Sequence, residues 1–292
     1  MTSTNWTGKA GSTDFGTIGN WDNGVPTATV DGFIIGAAGT AVSVIYASGT
    51  TSAHSLTTDF ANLTVTGGAL TIVSNSTLGG NLNQTGGVLT FDGNAAVSGN
   101  FGVTNGTVAI SAGSTLAVAG ATQFGPFGTG QINGPGTLST AGTTTIEETL
   151  LLGGGLDWSN SGTVKDDGDI SANGTATLTN LASASFNLTT DFLNIANAGG
   201  SLSFVNQGTL AKTGTVAGTS RISVAVTDTG TIASDSGTLE FDGGGSFSGV
   251  IDGAGTVAFG GGTSTLGDLT AVNLEVDGGT AHLTGSQIAV SG

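Results

Sequence analysis

Residues 63–119 divide into three successive segments of nineteen residues, LTVTGGALTIVSNSTLGGN, LNQTGGVLTFDGNAAVSGN and FGVTNGTVAISAGSTLAVA. Within a segment, apolar residues alternate with small polar ones, which is the period of a half-buried strand. Four positions stay apolar in all three segments: Leu63, Leu82 and Phe101; Leu70, Leu89 and Val108; Ile72, Phe91 and Ile110; Leu78, Val97 and Leu116. Because one such segment cannot bury its apolar side alone, the repeat predicts coils that stack on one another in register.

Residue pairs that accept positive φ precede the second strand of each segment: Gly67–Gly68, Gly86–Gly87 and Asn105–Gly106. Strands joined at such corners enclose a continuous apolar column when the coils stack, and each coil pairs its backbone with the next. The sequence therefore predicts an all-β fold, a parallel β-helix (β-solenoid) of about a dozen coils of roughly 19–24 residues each. Parallel crossover connections favour the right hand, so we expect a right-handed coil.

After residue 120 the nineteen-residue period is lost, but strand-like segments continue. Most of them begin with Gly-Thr followed by an aliphatic residue, as at 136–138, 162–164, 208–210, 237–239 and 255–257. Uneven spacing between these segments predicts irregular coils with loops of varied length, where specific binding sites are usually carried. The segment 120–135, ATQFGPFGTGQINGPG, is the clearest predicted loop.

The two ends of the chain differ from the repeat. Residues 1–35 contain Trp6 and Trp21 and are predicted to be an N-terminal capping segment, because an uncovered solenoid end exposes both core and strand edges. Residues 36–292 are predicted to form the parallel β-helix. The last nine residues, TGSQIAVSG, have no cap-like composition. We expect the chain to continue there or to join another copy.

Charge restricts the partners of this chain. Four basic residues against twenty acidic ones give a formal charge of −16 and a pI near 4.1. Such a chain repels phosphate backbones and anionic lipid surfaces, so nucleic acid is not an expected partner. No apolar run approaches the ~20 residues of a membrane-spanning helix, and we expect no membrane insertion.

Composition also suggests where the protein works. Charged residues make up 8% of the chain, against ~25% in ordinary soluble domains, and there are 54 Gly and no Cys. The first residues lack the layout of a signal peptide, so we expect either a chain that begins after processing or export without a cleaved N-terminal signal. Absence of Cys is compatible with bacterial export in an unfolded state.

Two stretches carry a family resemblance. SFSGVIDGAGTVAFGGG at 246–262 resembles the passenger-associated repeats of bacterial autotransporters. TNWTGKAGSTDFGTIGNWDNGVP at 4–26 is similar to the Trp-containing opening of large secreted adhesin-like β-helical proteins of proteobacteria. The resemblance implies an extracellular protein of a bacterial surface or matrix, and it carries over no catalytic residue. Such motifs specify coil geometry and not an activity.

The densest group of carboxylates is Asp166, Asp167 and Asp169 in VKDDGDIS. Carboxylates in a turn are suitable ligands for calcium, so these three residues are the predicted calcium site, with Asp242 and Asp252 as a second choice. The same group resembles the paired acids of glycoside hydrolysis, but Lys165 is the only nearby cation and Trp158 the only nearby Trp. A solvated turn between coils is the simpler interpretation.

Other candidate residues point to no chemistry. His54 and His282 are too far apart and too isolated for a metal signature. Thr66, Thr85 and Thr104 stack at one repeat position, but a single column of three is too narrow for an ice-binding plane. No Cys is present, and no Ser lies near a His in a nucleophile-and-base pattern. We therefore predict that the protein is not an enzyme.

These observations predict an extracellular structural or adhesive β-solenoid, secreted or held at the bacterial cell surface or in the extracellular matrix. The expected partners are further copies of the chain, end to end or side by side, and host or matrix glycans. A sheet edge left unpaired is a template for the next strand, so end-to-end assembly into filaments is the expected mode. The alternative is a carbohydrate-active or carbohydrate-binding β-helix.

Overall fold

The structure, a computed structural model, describes residues 2–36, 40–214 and 217–291. It is an all-β fold in which parallel sheets stack as a β-solenoid of about 13 turns, which confirms the predicted fold class. Among the described residues there is one helical element, a 3₁₀ turn at Ile18–Asn20, and none is long enough to cross a membrane. The chain divides into two compact units, Met1–Gly142 (unit 1) and Thr143–Gly292 (unit 2), which are described separately.

Unit 1 contains seventeen strands among its described residues: β1 (Thr2–Asn5), β2 (Val30–Ile35), β3 (Val42–Tyr46), β4 (Thr50–Ala53), β5 (Leu56–Asp59), β6 (Ala61–Val65), β7 (Ala69–Ile72), β8 (Ser76–Leu78), β9 (Leu82–Gln84), β10 (Val88–Phe91), β11 (Ala95–Val97), β12 (Phe101–Val103), β13 (Thr107–Ile110), β14 (Thr115–Val118), β15 (Thr122–Phe124), β16 (Gly130–Asn133) and β17 (Thr137–Thr140).

These strands form three parallel ladders. The first runs β1-β2-β5-β8-β11-β14-β17, the second β3-β6-β9-β12-β15 and the third β4-β7-β10-β13-β16. A full coil takes one strand from each ladder and turns a corner between them. Side chains alternate between the interior and solvent along every strand, because successive residues of a strand point to opposite faces.

Unit 2 contains twenty strands among its described residues: β18 (Thr143–Ile146), β19 (Leu150–Gly153), β20 (Leu156–Asn160), β21 (Thr163–Asp166), β22 (Ile170–Ala172), β23 (Thr175–Asn180), β24 (Ser185–Leu188), β25 (Asn194–Asn197), β26 (Ser201–Asn206), β27 (Thr209–Lys212), β28 (Thr219–Ile222), β29 (Ala225–Asp228), β30 (Thr231–Ser234), β31 (Thr238–Phe241), β32 (Gly245–Asp252), β33 (Thr256–Phe259), β34 (Thr263–Ala271), β35 (Leu274–Val276), β36 (Thr280–Leu283) and β37 (Ile288–Val290).

Unit 2 also has three parallel ladders. They run β20-β23-β26-β29-β32-β34-β36, β18-β21-β24-β27-β30-β32-β34-β37 and β19-β22-β25-β28-β31-β33-β35. Strands β32 and β34 are long enough to belong to two ladders, so they continue through a corner where other coils have a turn.

The register of unit 1 confirms most of the nineteen-residue repeat. Leu63 pairs with Leu82, which pairs with Phe101, and the columns from Leu70 and from Ile72 pair in the same way. The predicted equivalence of Val97 and Leu116 is wrong, because Leu116 pairs with Ala95. The turn at 111–114 is longer, with Ser114 N donating to Ser111 O at 3.0 Å, and it moves β14 by two residues. A two-residue step leaves the inward face unchanged.

Glycine residues allow the corners of successive coils to lie in direct contact. Gly68, Gly87 and Gly106 have φ of 70°, 72° and 83°, as the paired residues before each strand predict. Further round the coil, a Cβ added to Gly99 would lie 2.4 Å from the carbonyl oxygen of Gly80 on the coil below. At these corners the backbones of successive coils are therefore in direct contact, and a side chain has no room between them.

The interior is filled by aliphatic and aromatic columns. In unit 2, Phe186 lies 6.5 Å from Trp158 and 5.1 Å from Phe204, measured between ring centroids. All three side chains are fully buried. Edge-to-face pairs of this kind add about 0.5–1.5 kcal/mol beyond the burial of their area. The aromatic residues therefore hold neighbouring coils in register as well as filling space.

An aromatic cluster forms the N-terminal part of unit 1. Trp21 contacts Trp6 at 5.3 Å and Phe15 at 5.1 Å between ring centroids, and Phe15 contacts Tyr46 at 5.7 Å. The Trp21 indole N–H donates to Phe15 O at 2.8 Å. Strand β1 in this segment pairs with β2, so the segment contributes both a strand and apolar cover to the adjoining coil. The predicted boundary of the cap at residue 35 stays a prediction.

The Gly-Thr-aliphatic segments begin strands as expected, at β17, β21, β27, β31 and β33. The predicted loop at 120–135 is shorter in the structure, because β15 and β16 occupy seven of its sixteen residues. The residues between them, 125–129, expose Phe127, whose side chain is 87% accessible.

We expect Gly99→Ala to lower the free energy of unfolding by about 1–3 kcal/mol, the usual cost of forcing extra atoms into a packed site. Urea unfolding followed by circular dichroism measures this change. Gly16→Ala is the control, because the nearest atoms to its added Cβ are the Asp14 carboxylate oxygens at 3.7 Å. Equal stability of the two variants would contradict the direct backbone contact at the corner.

Candidate functional site

The three aspartates of the predicted calcium site do not lie together. Asp166 is the last residue of β21 and its side chain is fully buried inside unit 2, whereas Asp167 and Asp169 are exposed. Thr163, Val164 and Lys165 set the alternation that turns Asp166 inward. The structure therefore places one carboxyl in the core and two on the surface of the same corner.

Asp166 has an apolar environment. Its register neighbours in the adjacent strands are Ile146 and Leu188. Asp166 Oδ1 accepts a long hydrogen bond of 3.4 Å from Gly168 N, while Oδ2 is buried without a hydrogen-bond partner. Burial raises the pKa of Asp166 well above its ordinary value, and the nearby Asp169 and Asp167 raise it further. Burial therefore disfavours the ionised form of this carboxyl in the folded chain.

The two exposed aspartates belong to an acidic corner, which we define as Glu147, Glu148, Asp167, Asp169 and Asp191. These residues line a depression of about 270 Å³ in unit 2. Two of them are engaged with neighbouring turns: Asp167 accepts from the Thr189 hydroxyl, and Asp169 Oδ1 accepts from Asn194 N at 2.9 Å. The corner therefore concentrates negative charge, and two of its carboxylates also hold the next coil through hydrogen bonds.

The second predicted calcium pair is also divided. Asp242 Oδ2 accepts from Arg221 Nη1 at 3.0 Å, and the same guanidinium nitrogen lies 2.7 Å from Glu240 Oε1. Asp252 is exposed on β32 and accepts from Gly253 N at 2.7 Å. Across the described residues, no group of three or more His, Cys, Asp or Glu side chains is arranged to hold a metal ion. Calcium binding stays a prediction.

A buried ion pair lies beside the acidic corner. Lys212, the last residue of β27, is fully buried, and its Nζ lies 2.5 Å from Asp191 Oδ1. The same Nζ donates to Ser236 O at 2.9 Å. Charges taken out of water in this way are tolerated only when they are paired and hydrogen-bonded. The pair ties the turn after β24 to β27 and to the turn after β30.

A buried polar ladder runs through unit 2, and the sequence analysis missed it. We call it the amide ladder: Asn160, Asn180, Asn206 and Asp228, each at the end of its strand and in register with the next. The side-chain amide of each Asn donates to the side chain of the next residue, at 2.9, 2.9 and 2.7 Å. The sequence does contain a pattern that predicts this ladder. Each Asn follows buried residues at every second position of its strand, as in Leu156-x-Trp158-x-Asn160.

Unit 1 carries asparagines on the outside of its corners. Asn62 Oδ1 accepts from Asn81 N at 3.1 Å, and Asn81 Oδ1 accepts from Asn100 N at 2.9 Å. A second column does the same, with Asn75 Oδ1 accepting from Asn94 N at 3.0 Å. These side chains satisfy backbone N–H groups where the chain turns, which is the usual role of Asn at a turn.

The remaining candidates occupy structural positions. His54 Nδ1 lies 2.7 Å from Asp31 Oδ1, and His282 is exposed on β36. Hydrogen bonds from Ser55 and His54 lower the pKa of Asp31. Thr66 and Thr85 direct their hydroxyls at backbone carbonyls, each at 3.4 Å, so they are not free to order water.

Comparisons of the chain with protein-family models, with curated proteins and with solved structures found no match. The assignment of the fold therefore depends on the strand register. The resemblance to autotransporter passengers and to secreted adhesin-like proteins stays a prediction.

We expect Asp191→Ala to destabilise unit 2 by about 3–5 kcal/mol, because it leaves the Lys212 ammonium buried without its counter-charge. The double variant Asp191→Ala with Lys212→Met should recover most of that loss, since it removes both charges. A double-mutant cycle of urea unfolding measures the difference. If Lys212→Met gave no recovery, Asp191 would be stabilising the corner by other contacts.

We expect any calcium affinity of the acidic corner to depend on Asp167 and Asp169 and not on Asp166. Calorimetric titration of Asp167→Asn/Asp169→Asn against Asp166→Asn compares them directly. Binding that is lost in Asp166→Asn and retained in the double variant would contradict the inward position of Asp166.

Proposed function

We propose that the chain is an extracellular structural or adhesive β-solenoid of a bacterial cell surface or matrix, and that its copies associate end to end. The observation that supports this proposal is the exposed apolar coil made by β35, β36 and β37, which we call the terminal coil. The proposal combines this surface with the composition and the family resemblance of the sequence.

In the terminal coil, each of the three ladders of unit 2 ends on an apolar side chain exposed to solvent. Val276, Leu283 and Val290 are 51%, 66% and 54% accessible. Their register partners one coil earlier are Phe259, Leu266 and Ala271, which are at most 3% accessible. The same columns that are buried in the preceding coil are therefore open at the terminal coil.

An open coil offers two kinds of interaction at once. Its strands carry backbone N–H and C=O groups on the edge that does not face the preceding coil, and unpaired edges recruit other strands. Its apolar side chains gain roughly 25 cal/mol per Å² of apolar surface removed from water. A second copy of the chain supplies both a strand edge and apolar side chains, so a homotypic contact fits the surface.

Charge gives the association a dependence on salt. Fifteen of the twenty acidic residues and three of the four basic residues lie in unit 2. Two copies that meet through this unit repel each other at low ionic strength, and added salt screens that repulsion over a Debye length of about 8–10 Å. Association is therefore expected to strengthen as salt is added, and millimolar calcium should act in the same direction.

We expect negative-stain electron microscopy of the purified chain to show end-to-end assemblies of uniform width at physiological salt. Val276→Lys with Leu283→Lys should abolish them, because it places two charges in the apolar contact. Val88→Lys is the matched control, since Val88 is an exposed strand residue of unit 1. Recording each sample with and without calcium separates screening by the divalent ion from apolar contact.

Isolated particles of the unaltered chain at every salt and calcium concentration would overturn end-to-end association. Assemblies that persist in the double lysine variant would move the contact to another surface. Glycan-array binding tests the adhesive part independently. Turnover of a bound glycan would favour the carbohydrate-active alternative over a structural role.

A further inference from the structure

The amide ladder of unit 2 ends on an acid instead of an amide. We propose that Asp228 is a proton-controlled rung: protonated, it completes the ladder and tightens β29 against its neighbours, and ionised, it loosens them. Unit 2 is then more stable in mildly acidic surroundings than at neutral pH. This inference does not depend on the proposed function.

The geometry of the ladder defines what position 228 requires. Asn160 Nδ2 donates to the backbone oxygen of Gly162 at 3.2 Å, and Asn206 Nδ2 donates to that of Gly208 at 3.3 Å. These two amides thus each donate to the carbonyl two residues ahead, whereas Asn180 Nδ2 donates to Ala184 O at 3.5 Å, four residues ahead. The equivalent carbonyl for Asp228 belongs to Gly230.

Asp228 fills the acceptor half of this role at any pH. Its Oδ1 accepts from Asn206 Nδ2 at 2.7 Å and from Gly230 N at 3.3 Å. Its Oδ2 lies on the side of Gly249, where an added Cβ would be 3.4 Å from Oδ2 and 2.2 Å from the carbonyl oxygen of Gly230. Protonation on Oδ2 gives position 228 a donor, as the amides of Asn160 and Asn206 have, whereas a carboxylate has acceptors only.

Among the residues that the structure describes, no basic side chain pairs with Asp228. The residue is 2% accessible, and its register neighbours are Asn206 on β26 and Phe247 on β32. Strand β26 has no charged residue, and β32 has one, Asp252, which is exposed. Lys212 on β27 is committed to Asp191. Burial therefore raises the pKa of Asp228 to about 6, against the lowering effect of the bonds from Asn206 and Gly230.

The direction of the pH effect follows from proton binding. Between the ordinary pKa of 3.8 and about 6, the folded chain holds a proton on Asp228 that the unfolded chain has released. The stability that Asp228 contributes is therefore fully present below about pH 4, is lost as the pH rises through 4 to 6, and changes little above that. One proton corresponds to a tenfold change in the unfolding constant per pH unit, so Asp228 contributes roughly a hundredfold.

Other carboxyls either act in the same direction as Asp228 or titrate below its pH window, as Asp268 of unit 2 does. Asp166 acts in the same direction as Asp228, since burial also raises its pKa. In unit 1, hydrogen bonds from Asn5 lower the pKa of Asp22, and those from Ser55 and His54 lower that of Asp31. Such groups lose stability below about pH 4, outside the window in which Asp228 acts. The acid response between pH 4 and 6 is therefore assigned to unit 2.

The test is urea unfolding of the full chain at pH 4.5 and 7.5, read by pulse-labelling hydrogen exchange with every pulse at one common pH. Peptides from 225–252 report on the rung of Asp228, and peptides from 82–118 report on unit 1. We expect the unfolding constant from 225–252 to be at least tenfold larger at pH 7.5 than at pH 4.5.

Asp228→Asn keeps the acceptor, supplies the missing donor and removes the titration. At pH 7.5 its midpoint in 225–252 should rise, and the change in the unfolding constant between pH 4.5 and pH 7.5 should shrink by about tenfold or more. The pH shift that remains belongs to Asp166, whose pKa is also raised by burial. Asp157→Asn, on the exposed face of β20, is the control and should keep the full shift. Asn206→Asp adds a second carboxyl to the ladder and should enlarge the shift, which provides an independent test if Asp228→Asn folds poorly.

A full pH shift in Asp228→Asn, or an unaltered chain whose 225–252 midpoint does not fall as the pH rises, would overturn the proposal. A shift of equal size in 82–118 would also overturn it, since the effect would then belong to the whole chain.

Discussion

The in-register hydrogen bonding between parallel strands of successive coils is the interaction on which the rest of this structure depends. Once Leu63, Leu82 and Phe101 stand above one another, every other residue of those coils is aligned as well. Inward positions form apolar columns and outward positions form polar ones. Corners must then turn within the thickness of a single strand layer, about 4.8 Å, which is why glycine backbones meet there without side chains between them.

Repetition also decides which polar groups the interior accepts. A lone buried Asn would lose its bonds to water, but an Asn stacked on another Asn regains them from its neighbour. Asn160, Asn180 and Asn206 are satisfied in this way. Buried ionisable groups that interrupt such a series need another way to offset the loss of their bonds to water. Lys212 forms an ion pair, whereas burial raises the pKa of both Asp166 and Asp228.

Much of the fold could be predicted from the sequence because the repeat and the fold share one period. The columns from Leu63, Leu70 and Ile72 follow directly from spacing, and so do the glycine corners. The error at Leu116 arose because a longer turn shifts the register without changing the alternation, and alternation alone cannot detect a step of two residues.

The candidate site could not be predicted as well. In VKDDGDIS a cluster of acids reads as a solvated turn, and only the phase of β21 shows that Asp166 belongs to the interior. The amide ladder was missed for the same reason, since Asn is common at turns and an inward Asn differs from a turn Asn only by its position in the alternation. The sequence shows the chemistry of these polar side chains, but interpreting them as turn residues did not show whether each of them points inward or outward.

The two-residue step at 111–114 has a consequence for how such a chain changes over evolutionary time. A genetic insertion at a corner adds surface while every buried column keeps its composition, provided that the turn absorbs the added residues. The column of Leu89, Val108 and Ile132 shows this, because its coils are 19 and 24 residues long and all three side chains are buried. Length variation in such a chain should therefore accumulate at corners, which gives a lineage a way to alter its outer surface without changing its interior.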